Sequence, residues 1–190
     1  RHPDIAKISF SGSSAVGEHL VTAGAATMKR VTLELGGKSP TVVLEDADFA
    51  GVMPLVLQAG FANSGQACIA GTRILVPRAR LIEFEQAARE AVSHVKSGDP
   101  SEADTDIGPM VSAKQWERVQ SYIRLGQAEG AKLLAGGEGR PEGLDRGWFV
   151  KPTIFTGATN QMRIAREEIF GPVLTVIPYE DEADAIAIAN

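Results

Sequence analysis

The fold class is set by the stretch Ile5-Ala-Lys-Ile-Ser-Phe-Ser-Gly-Ser-Ser-Ala-Val-Gly17. Its first half is typical of a strand, and the glycine- and serine-rich turn that follows leads into a helical pattern with Val16, Leu20 and Ala23 on one face. Such a turn offers free backbone N–H groups and a positive helix end to an anion such as a pyrophosphate. The spacing matches neither G-x-G-x-x-G nor a P-loop, so an ordinary loop with an N-cap serine remains an alternative.

Strand and helix patterns alternate along the rest of the chain. Further strands are predicted at 29–35, 41–45, 73–77, 131–135, 151–155 (as an edge strand) and 173–177. Three helices are predicted between these strands, each from apolar residues at core-facing spacing. The first has Val52, Leu55, Val56 and Ala59, and the second, which ends at Gly98, has Leu81, Phe84, Ala88, Val92 and Val95. The third follows a capping box of Ser112 and Gln115 and has Trp116, Val119 and Ile123. This order predicts an α/β fold with a doubly wound, largely parallel sheet.

Composition narrows the possible functions. The chain has 44% hydrophobic and 23% charged residues, which is typical of a globular protein. A formal net charge of -5 argues against nucleic acid or an anionic membrane as a partner. The single cysteine excludes an internal disulfide framework and favours the cytoplasm. The histidines do not cluster and no metal-ligand spacing occurs, so no metal site is predicted.

Both ends of the sequence are unusual for a complete protein. The chain begins at Arg1 without a methionine, and it stops at Asn190 inside a helical pattern. From these two ends we expect the sequence to be part of a longer protein. It contains no signal-like leader and no long apolar run, so neither a signal peptide nor a membrane span is predicted.

The only cysteine lies in Phe61-Ala-Asn-Ser-Gly-Gln-Ala-Cys-Ile-Ala-Gly-Thr-Arg73. A lone cysteine is more often a small buried hydrophobe than a nucleophile, but Gly65 and Gly71 would let the backbone approach a ligand closely. Glu34 ends a predicted strand, where open α/β sheets place ligands, although a solvated edge carboxylate is commoner. A loop thiol, a strand-end glutamate and an anion-ready turn fit covalent catalysis on a carbonyl followed by assisted hydrolysis.

Four stretches resemble motifs of the NAD(P)-dependent aldehyde dehydrogenase superfamily, in the family's order. Val31-Thr-Leu-Glu-Leu-Gly-Gly-Lys-Ser-Pro40 is similar to its glutamate active-site signature, and residues 61–73 are similar to its cysteine signature. Phe10-Ser-Gly-Ser-Ser-Ala-Val-Gly17 resembles its phosphate-proximal turn, and Glu167-Glu-Ile-Phe-Gly-Pro-Val173 its late cofactor motif. The resemblance extends through nearly the whole chain.

The resemblance implies a covalent mechanism. Cys68 would be the nucleophile that adds to an aldehyde, giving a thiohemiacetal whose oxyanion the Cys68 backbone N–H would partly hold. Hydride transfer to the nicotinamide would leave a thioester, and Glu34 would act as the general base for its hydrolysis. Relatives that pass the acyl group to coenzyme A generally lack a glutamate at the Glu34 position, so its presence favours release of a free acid.

The resemblance also implies a set of contacts to NAD or NADP. Gly12, Ser13 and Gly17 would lie near the pyrophosphate, and the backbone of Leu35 and Gly36 near the nicotinamide. Glu168 would bind the nicotinamide-side ribose, with Phe170 packing near the ring.

By the same resemblance, residues 1–35 would be the C-terminal part of a dinucleotide-binding domain. Residues 36–190 would be a catalytic domain truncated at its C-terminus. The family's upstream asparagine and lysine are not in this sequence, so the choice between NAD and NADP stays open and the chain alone is expected to be inactive. The parent protein would be a homodimer or homotetramer that acts on a small aldehyde.

Two alternatives to a hydrolytic oxidation of a general aldehyde remain open. The first is a semialdehyde or coenzyme A-acylating dehydrogenase of the same superfamily. Ala62, Ala67 and Ile69 supply no basic anchor for a carboxylate substrate, which favours an apolar aldehyde. The second is a noncatalytic binding or structural protein that retains the fold.

Overall fold

The computed structural model describes residues 2–190. Its backbone contacts divide the chain between Gly37 and Lys38 into two compact units, each with its own sheet. None of the helices in residues 2–190 has the length and apolar character needed to span a bilayer.

The first unit is a single β–α–β motif. Strand β1 (Lys7–Gly12) is followed by helix α1 (Ser14–Ala25) and by strand β2 (Arg30–Leu35), which pairs with β1 in parallel. The predicted apolar helix face is wrong at Val16, which is 44% exposed. Gly17 is buried instead, and a Cβ built on it would lie 2.9 Å from the Leu35 side chain. Helix α1 therefore packs against the sheet through Gly17. A search for regularly spaced apolar side chains overlooks this contact, because glycine has no side chain.

The second unit contains a five-stranded sheet in the order β3-β4-β7-β6-β5. Its strands are β3 (Pro40–Val42), β4 (Arg73–Pro77), β5 (Lys132–Ala135), β6 (Thr153–Thr156) and β7 (Val173–Tyr179). The pairs β3–β4, β4–β7 and β7–β6 are parallel, and only β5 runs antiparallel to its neighbour. The predicted largely parallel α/β sheet is confirmed.

Helices cover both faces of this sheet. They are α2 (Phe49–Phe61), α3 (Leu81–Ser93), α4 (Ala113–Ala128), α5 (Arg163–Arg166) and α6 (Glu182–Ala189). Ile74 and Val76 of β4 pack with buried residues of α2 and α3, whereas Leu75 packs with buried residues of α4 and α6. Because successive strand side chains point to opposite faces, one buried strand supplies both cores, as a doubly wound sheet requires.

Three sequence-based details of the second unit are wrong. The strand predicted at 151–155 as an edge strand begins at Thr153 and lies between β7 and β5, so Pro152 precedes the ladder and does not confine the strand to an edge. Leu55 is 64% exposed, and Leu57 takes its place in the core. Helix α3 ends at Ser93, five residues before Gly98.

Candidate active site

Cys68 lies on an exposed segment that follows helix α2. The chain leaves Phe61 through a tight helical turn, Ala62–Gly65, in which three successive residues adopt left-handed backbone: Asn63 (φ 52°), Ser64 (φ 58°) and Gly65 (φ 69°). A left-handed conformation costs a residue with a Cβ roughly 1 kcal/mol or more, and such strain persists only where surrounding contacts hold it. The turn before the thiol therefore depends on tertiary contacts.

Those contacts come from residues 108–111. The Ser64 hydroxyl donates to the Gly108 carbonyl oxygen (3.1 Å), and the Gln66 side-chain oxygen accepts from the Val111 N–H (3.0 Å). Within the turn, the Asn63 amide donates to the Gln66 carbonyl oxygen (2.9 Å). Sequence reasoning missed Ser64 and Gln66 because Gly108 and Val111, their partners, lie 44 and 45 positions away.

Gly65 brings the thiol segment against residues 167–173. A Cβ built on Gly65 would lie 2.2 Å from the Gly171 carbonyl oxygen and 2.9 Å from the Pro172 nitrogen. Backbone thus rests directly on backbone at this point, and only glycine leaves room for it. The two motifs of the second unit, 61–73 and 167–173, are therefore in contact.

The segment that carries Glu168 and Phe170 is held by an ion pair and by a tyrosine hydroxyl at Glu167. Arg163 Nε (2.7 Å) and the Tyr122 hydroxyl (2.6 Å) both donate to the Glu167 carboxylate, and these hydrogen bonds lower the pKa of Glu167 to about 2. The next residue, Glu168, is partly exposed. Phe170 is also partly exposed and adopts a left-handed φ of 61°.

Helix α4 begins near this segment, and its predicted capping box is only half formed. The Ser112 hydroxyl accepts from the Gln115 backbone N–H (3.2 Å), as expected for an N-cap. The Gln115 side chain does not complete the box, because its amide nitrogen donates to the carbonyl oxygens of Ile169 and Phe170. The Gln115 side chain therefore bonds to the 167–173 segment and does not cap its own helix.

The first unit gathers the other predicted residues at the C-terminal ends of two strands. Glu34 is exposed and opposite Ser11, and Leu35 is opposite Gly12. Gly36 follows directly and is partly exposed. The carboxylate therefore lies beside the turn that leads into α1.

The N-terminus of α1 is open to an anion. Ser13 is the N-cap residue by backbone geometry, as the alternative of an ordinary loop with an N-cap serine expects, but within the described residues its side chain makes no capping hydrogen bond. The first turn of the helix has no acidic residue that would repel an anion. Nowhere in residues 2–190 do three or more His, Cys, Asp or Glu side chains form a group that could hold a metal ion.

Lys38 is a perturbed group that sequence reasoning did not select. The residue is partly exposed, but its amine nitrogen is buried, and among residues 2–190 no hydrogen-bond partner reaches it. Burial, together with the nearby positive charge of Arg73, lowers the pKa of Lys38 to about 7, against a smaller opposite effect of Glu168. Its position in the Gly-Gly-Lys stretch was the one available signal.

Lys38 is expected to make the free energy of unfolding depend on pH between about 7 and 10.5. Between its folded pKa of about 7 and its ordinary value of 10.5, the unfolded chain binds a proton that the folded chain does not. The free energy of unfolding should therefore rise with pH across this window, relative to Lys38→Met. Urea unfolding of both chains between these pH values measures the difference, and parallel curves would contradict the assignment.

Comparison with known proteins identifies the relatives of this chain. The model of the aldehyde dehydrogenase family matches residues 1–190. A 3-succinoylsemialdehyde-pyridine dehydrogenase from a Pseudomonas species is 50% identical over 189 residues, which are 100% of this chain and 40% of that protein.

Solved structures agree with this result. Aldehyde dehydrogenase C from Pseudomonas syringae, a mutant in complex with NAD+ and octanal, superposes with a TM-score of 0.97 at 49% identity over 100% of this chain and 39% of its own. A Mycobacterium tuberculosis aldehyde dehydrogenase in complex with NAD+ gives a TM-score of 0.96 at 51% identity, again over 100% of this chain and 39% of that one. The chain thus spans about two fifths of the length of these relatives, and it belongs to the aldehyde dehydrogenase family.

Proposed function

We propose that the full-length protein carrying this sequence oxidises an aldehyde to a carboxylic acid with NAD+ or NADP+. Cys68 is the nucleophile and Glu34 is the general base. The observation that carries the proposal is that the exposed Cys68 follows a strained turn whose backbone rests on the 167–173 segment. Such strain, maintained by tertiary contacts, is commonest at functional sites.

The residues fit a dinucleotide. The open N-terminus of α1, next to Gly12 and Ser13, offers backbone N–H groups to a pyrophosphate. In the second unit, the Glu168 carboxylate can accept from ribose hydroxyls and the Phe170 ring offers an apolar face. When bound, the nicotinamide supplies a hydride acceptor.

The chemistry of the chain's own groups follows in two stages. The Cys68 thiolate attacks the carbonyl carbon, and a C–S bond forms while the carbonyl oxygen becomes an oxyanion that the Cys68 N–H stabilises. When that oxyanion collapses, the carbon loses its hydride and becomes a thioester. Glu34 then takes a proton from water, the hydroxide attacks the thioester, and the C–S bond breaks to release the acid and the thiolate.

Two observations support an apolar aldehyde as the substrate. Ile69, next to the thiol, is 83% exposed, and the neighbouring Ala62 and Ala67 are small, which favours an apolar aldehyde. The Pseudomonas syringae relative was solved with octanal, which is of that class. The name of the 3-succinoylsemialdehyde-pyridine dehydrogenase keeps a semialdehyde as the second candidate.

The proposal extends to domain roles and assembly. Residues 1–35 are assigned to a dinucleotide-binding domain and 36–190 to the catalytic domain; the division of backbone contacts after Gly37 is compatible with this assignment. The full-length protein is proposed to be a cytoplasmic homodimer or homotetramer. Because the 190-residue chain spans about two fifths of the length of its relatives, it is proposed to be inactive by itself.

One assay tests these assignments. We expect the full-length protein to form NADH or NADPH from a panel of straight-chain aldehydes and semialdehydes, and we expect one equivalent of iodoacetamide to stop it. The 190-residue chain should form neither product under the same conditions. A full-length protein that reduces neither nucleotide with any aldehyde would contradict the proposed function, whereas a fully active chain would contradict only the domain roles.

A further inference from the structure

The second unit contains a polar cavity that is lined by none of the proposed catalytic or nucleotide-binding residues. Its volume is about 460 Å³, and its walls include Lys38, Arg73, Asn160, Gln161, Arg166 and the end of α6. None of the described residues that line it is an Asp or a Glu. The cavity thus brings basic side chains together without an acidic one.

The basic side chains reach the cavity from three different elements. Lys38 lies two residues before β3, Arg73 begins the neighbouring β4, and Arg166 ends α5. Since β3 and β4 pair in parallel, with Pro40 opposite Arg73, the residues just before β3 and the start of β4 share one edge of the sheet. The pairing of these strands therefore places two like charges close together.

The amine of Lys38 is the most exceptional group in the cavity. Its nitrogen is buried, and none of its three donors finds a hydrogen-bond acceptor within residues 2–190. Burial and the charge of Arg73 on β4 lower the pKa of Lys38 to about 7, and Glu168, which precedes β7, opposes them only in part. A buried cation in this situation is stabilised by an anion that accepts its hydrogen bonds.

The guanidinium of Arg73 is fixed in place by uncharged acceptors. Its Nη1 donates to the Asn160 Oδ1 (3.2 Å) and to the Ile188 carbonyl oxygen (2.8 Å), and its Nη2 donates to the Ala189 carbonyl oxygen (2.8 Å). Its Nε is buried and has no hydrogen-bond partner among the described residues. The side chain is thus held rigidly against the end of α6, while these acceptors leave its charge unneutralised.

This arrangement selects the charge of a ligand. A metal ion would be repelled by Lys38, Arg73 and Arg166, and an uncharged ligand could accept hydrogen bonds but would not relieve the repulsion among them. An oxyanion does both, because its oxygens accept charge-assisted hydrogen bonds from ammonium and guanidinium groups. Arg166 is exposed, so it offers its charge at the rim of the cavity.

We propose that this cavity is a binding site for a small oxyanion, a carboxylate, sulfate or phosphate group, which Lys38 and Arg73 hold inside it and Arg166 contacts at its rim. Two sources can supply the oxyanion: a free anion, or an acidic side chain of the full-length protein, since this chain spans about two fifths of the length of its relatives. The inference goes beyond the proposed function and does not depend on it, because neither Cys68 nor Glu34 lines the cavity.

Titration of the full-length protein with sodium sulfate, by calorimetry at constant ionic strength, is the first test. Lys38→Met should raise the Kd for sulfate at least about ten-fold, because it removes charge-assisted hydrogen bonds. Lys132→Met is the matched control and should leave the Kd unchanged, since Lys132 is exposed on β5 at the other edge of the sheet. Sulfate bound elsewhere, such as at the N-terminus of α1, would not respond to Lys38.

The pH dependence identifies Lys38 as the group that binds. Sulfate remains a dianion between pH 6 and 8, so the Kd should rise about ten-fold over this range as Lys38, with a pKa of about 7, loses its proton. Lys38→Arg should retain binding and lose this pH dependence, because a guanidinium stays charged. Arg166→Gln should weaken binding, whereas Arg146→Gln, on an exposed loop, should not.

The melting temperature distinguishes the two sources. Sulfate binding that Lys38→Met removes shows that the site takes a free anion. If sulfate does not bind, an acidic side chain of the full-length protein fills the site; Lys38→Met should then lower the melting temperature well below that of Lys132→Met, because it leaves a buried carboxylate unpaired, and Lys38→Arg should restore it. The inference is overturned if sulfate binding does not depend on Lys38 and either the melting temperatures of Lys38→Met and Lys132→Met are equal or Lys38→Arg restores nothing.

Discussion

Glu34→Gln is expected to stop the full-length protein after a single acylation, whereas Cys68→Ala is expected to prevent acylation altogether. A glutamine at position 34 cannot take a proton from water, so the thioester forms and then persists. An alanine at position 68 provides no nucleophile, so no C–S bond forms. Loss of a general base typically costs a factor of about 10² to 10⁴ in rate, and loss of the nucleophile should reduce turnover to background.

Rapid mixing and mass spectrometry separate the two results. Glu34→Gln should give a burst of about one NADH per thiol and a protein mass increased by the acyl group, followed by a steady rate at least about 100-fold below the original. Cys68→Ala should give neither burst nor adduct. Glu18→Gln, an exposed carboxylate of α1 in the same unit, is the control and should retain normal turnover.

Each departure from this pattern has a definite meaning. If Glu34→Gln gives neither a burst nor an adduct, Glu34 is needed before the thioester, as the base that deprotonates Cys68. If Glu34→Gln turns over at the normal rate, its role as a base is contradicted. The two steps are therefore tested independently.

The sequence was sufficient for the fold class because the pattern of a buried parallel sheet is local. Strands such as β4 and β7 are short apolar runs between helical stripes, and each could be recognised from its own residues. The position of a strand within the sheet is not local. Residues 153–156 lie between β7 and β5 because of pairings with residues that are about 20 positions away on either side, so the edge assignment failed.

For the candidate site, as for the fold, local sequence patterns selected individual residues but did not predict their distant contacts. The motif around Cys68 made the thiol a candidate, but the left-handed backbone of Ser64 was not predicted, because the hydroxyl of Ser64 bonds to the Gly108 carbonyl oxygen, 44 residues away. In the same way, Gln115 satisfied a local capping pattern while its side chain bonds to carbonyls 54 and 55 residues later. Local patterns selected Cys68 and Gln115 as candidates and passed over Ser64 and Lys38, because tertiary contacts decide what these side chains meet.

Gly65→Ala is expected to be the most damaging small substitution in the thiol segment. An alanine there must adopt a φ near +69°, which costs roughly 1 kcal/mol, and its methyl group would lie 2.2 Å from the Gly171 carbonyl oxygen. The obstructing atom belongs to the backbone, so no change of rotamer removes the overlap. We expect the free energy of unfolding to fall by about 3 kcal/mol or more, since overpacking adds to the strain.

Gly143→Ala is the control that isolates the contact from the backbone conformation. Gly143 has a φ of +75°, and a Cβ built on it meets no described atom within 4 Å, so alanine there incurs the conformational cost alone, roughly 1 kcal/mol. Urea unfolding of both variants gives the difference, which we assign to the contact of Gly65 with Gly171. Equal losses would show that this contact contributes nothing to stability.

The overlap that Gly65→Ala creates with Gly171 should also affect activity. Since both backbones cannot occupy the same space, the segment bearing Cys68 has to move away from residues 167–173, and the thiol moves with it. A full-length Gly65→Ala protein should therefore lose aldehyde oxidation even at low temperature, where it remains folded, while iodoacetamide still alkylates its exposed Cys68. Retained turnover in the folded variant would mean that the distance between the thiol and the Glu168–Phe170 segment is not set by Gly65.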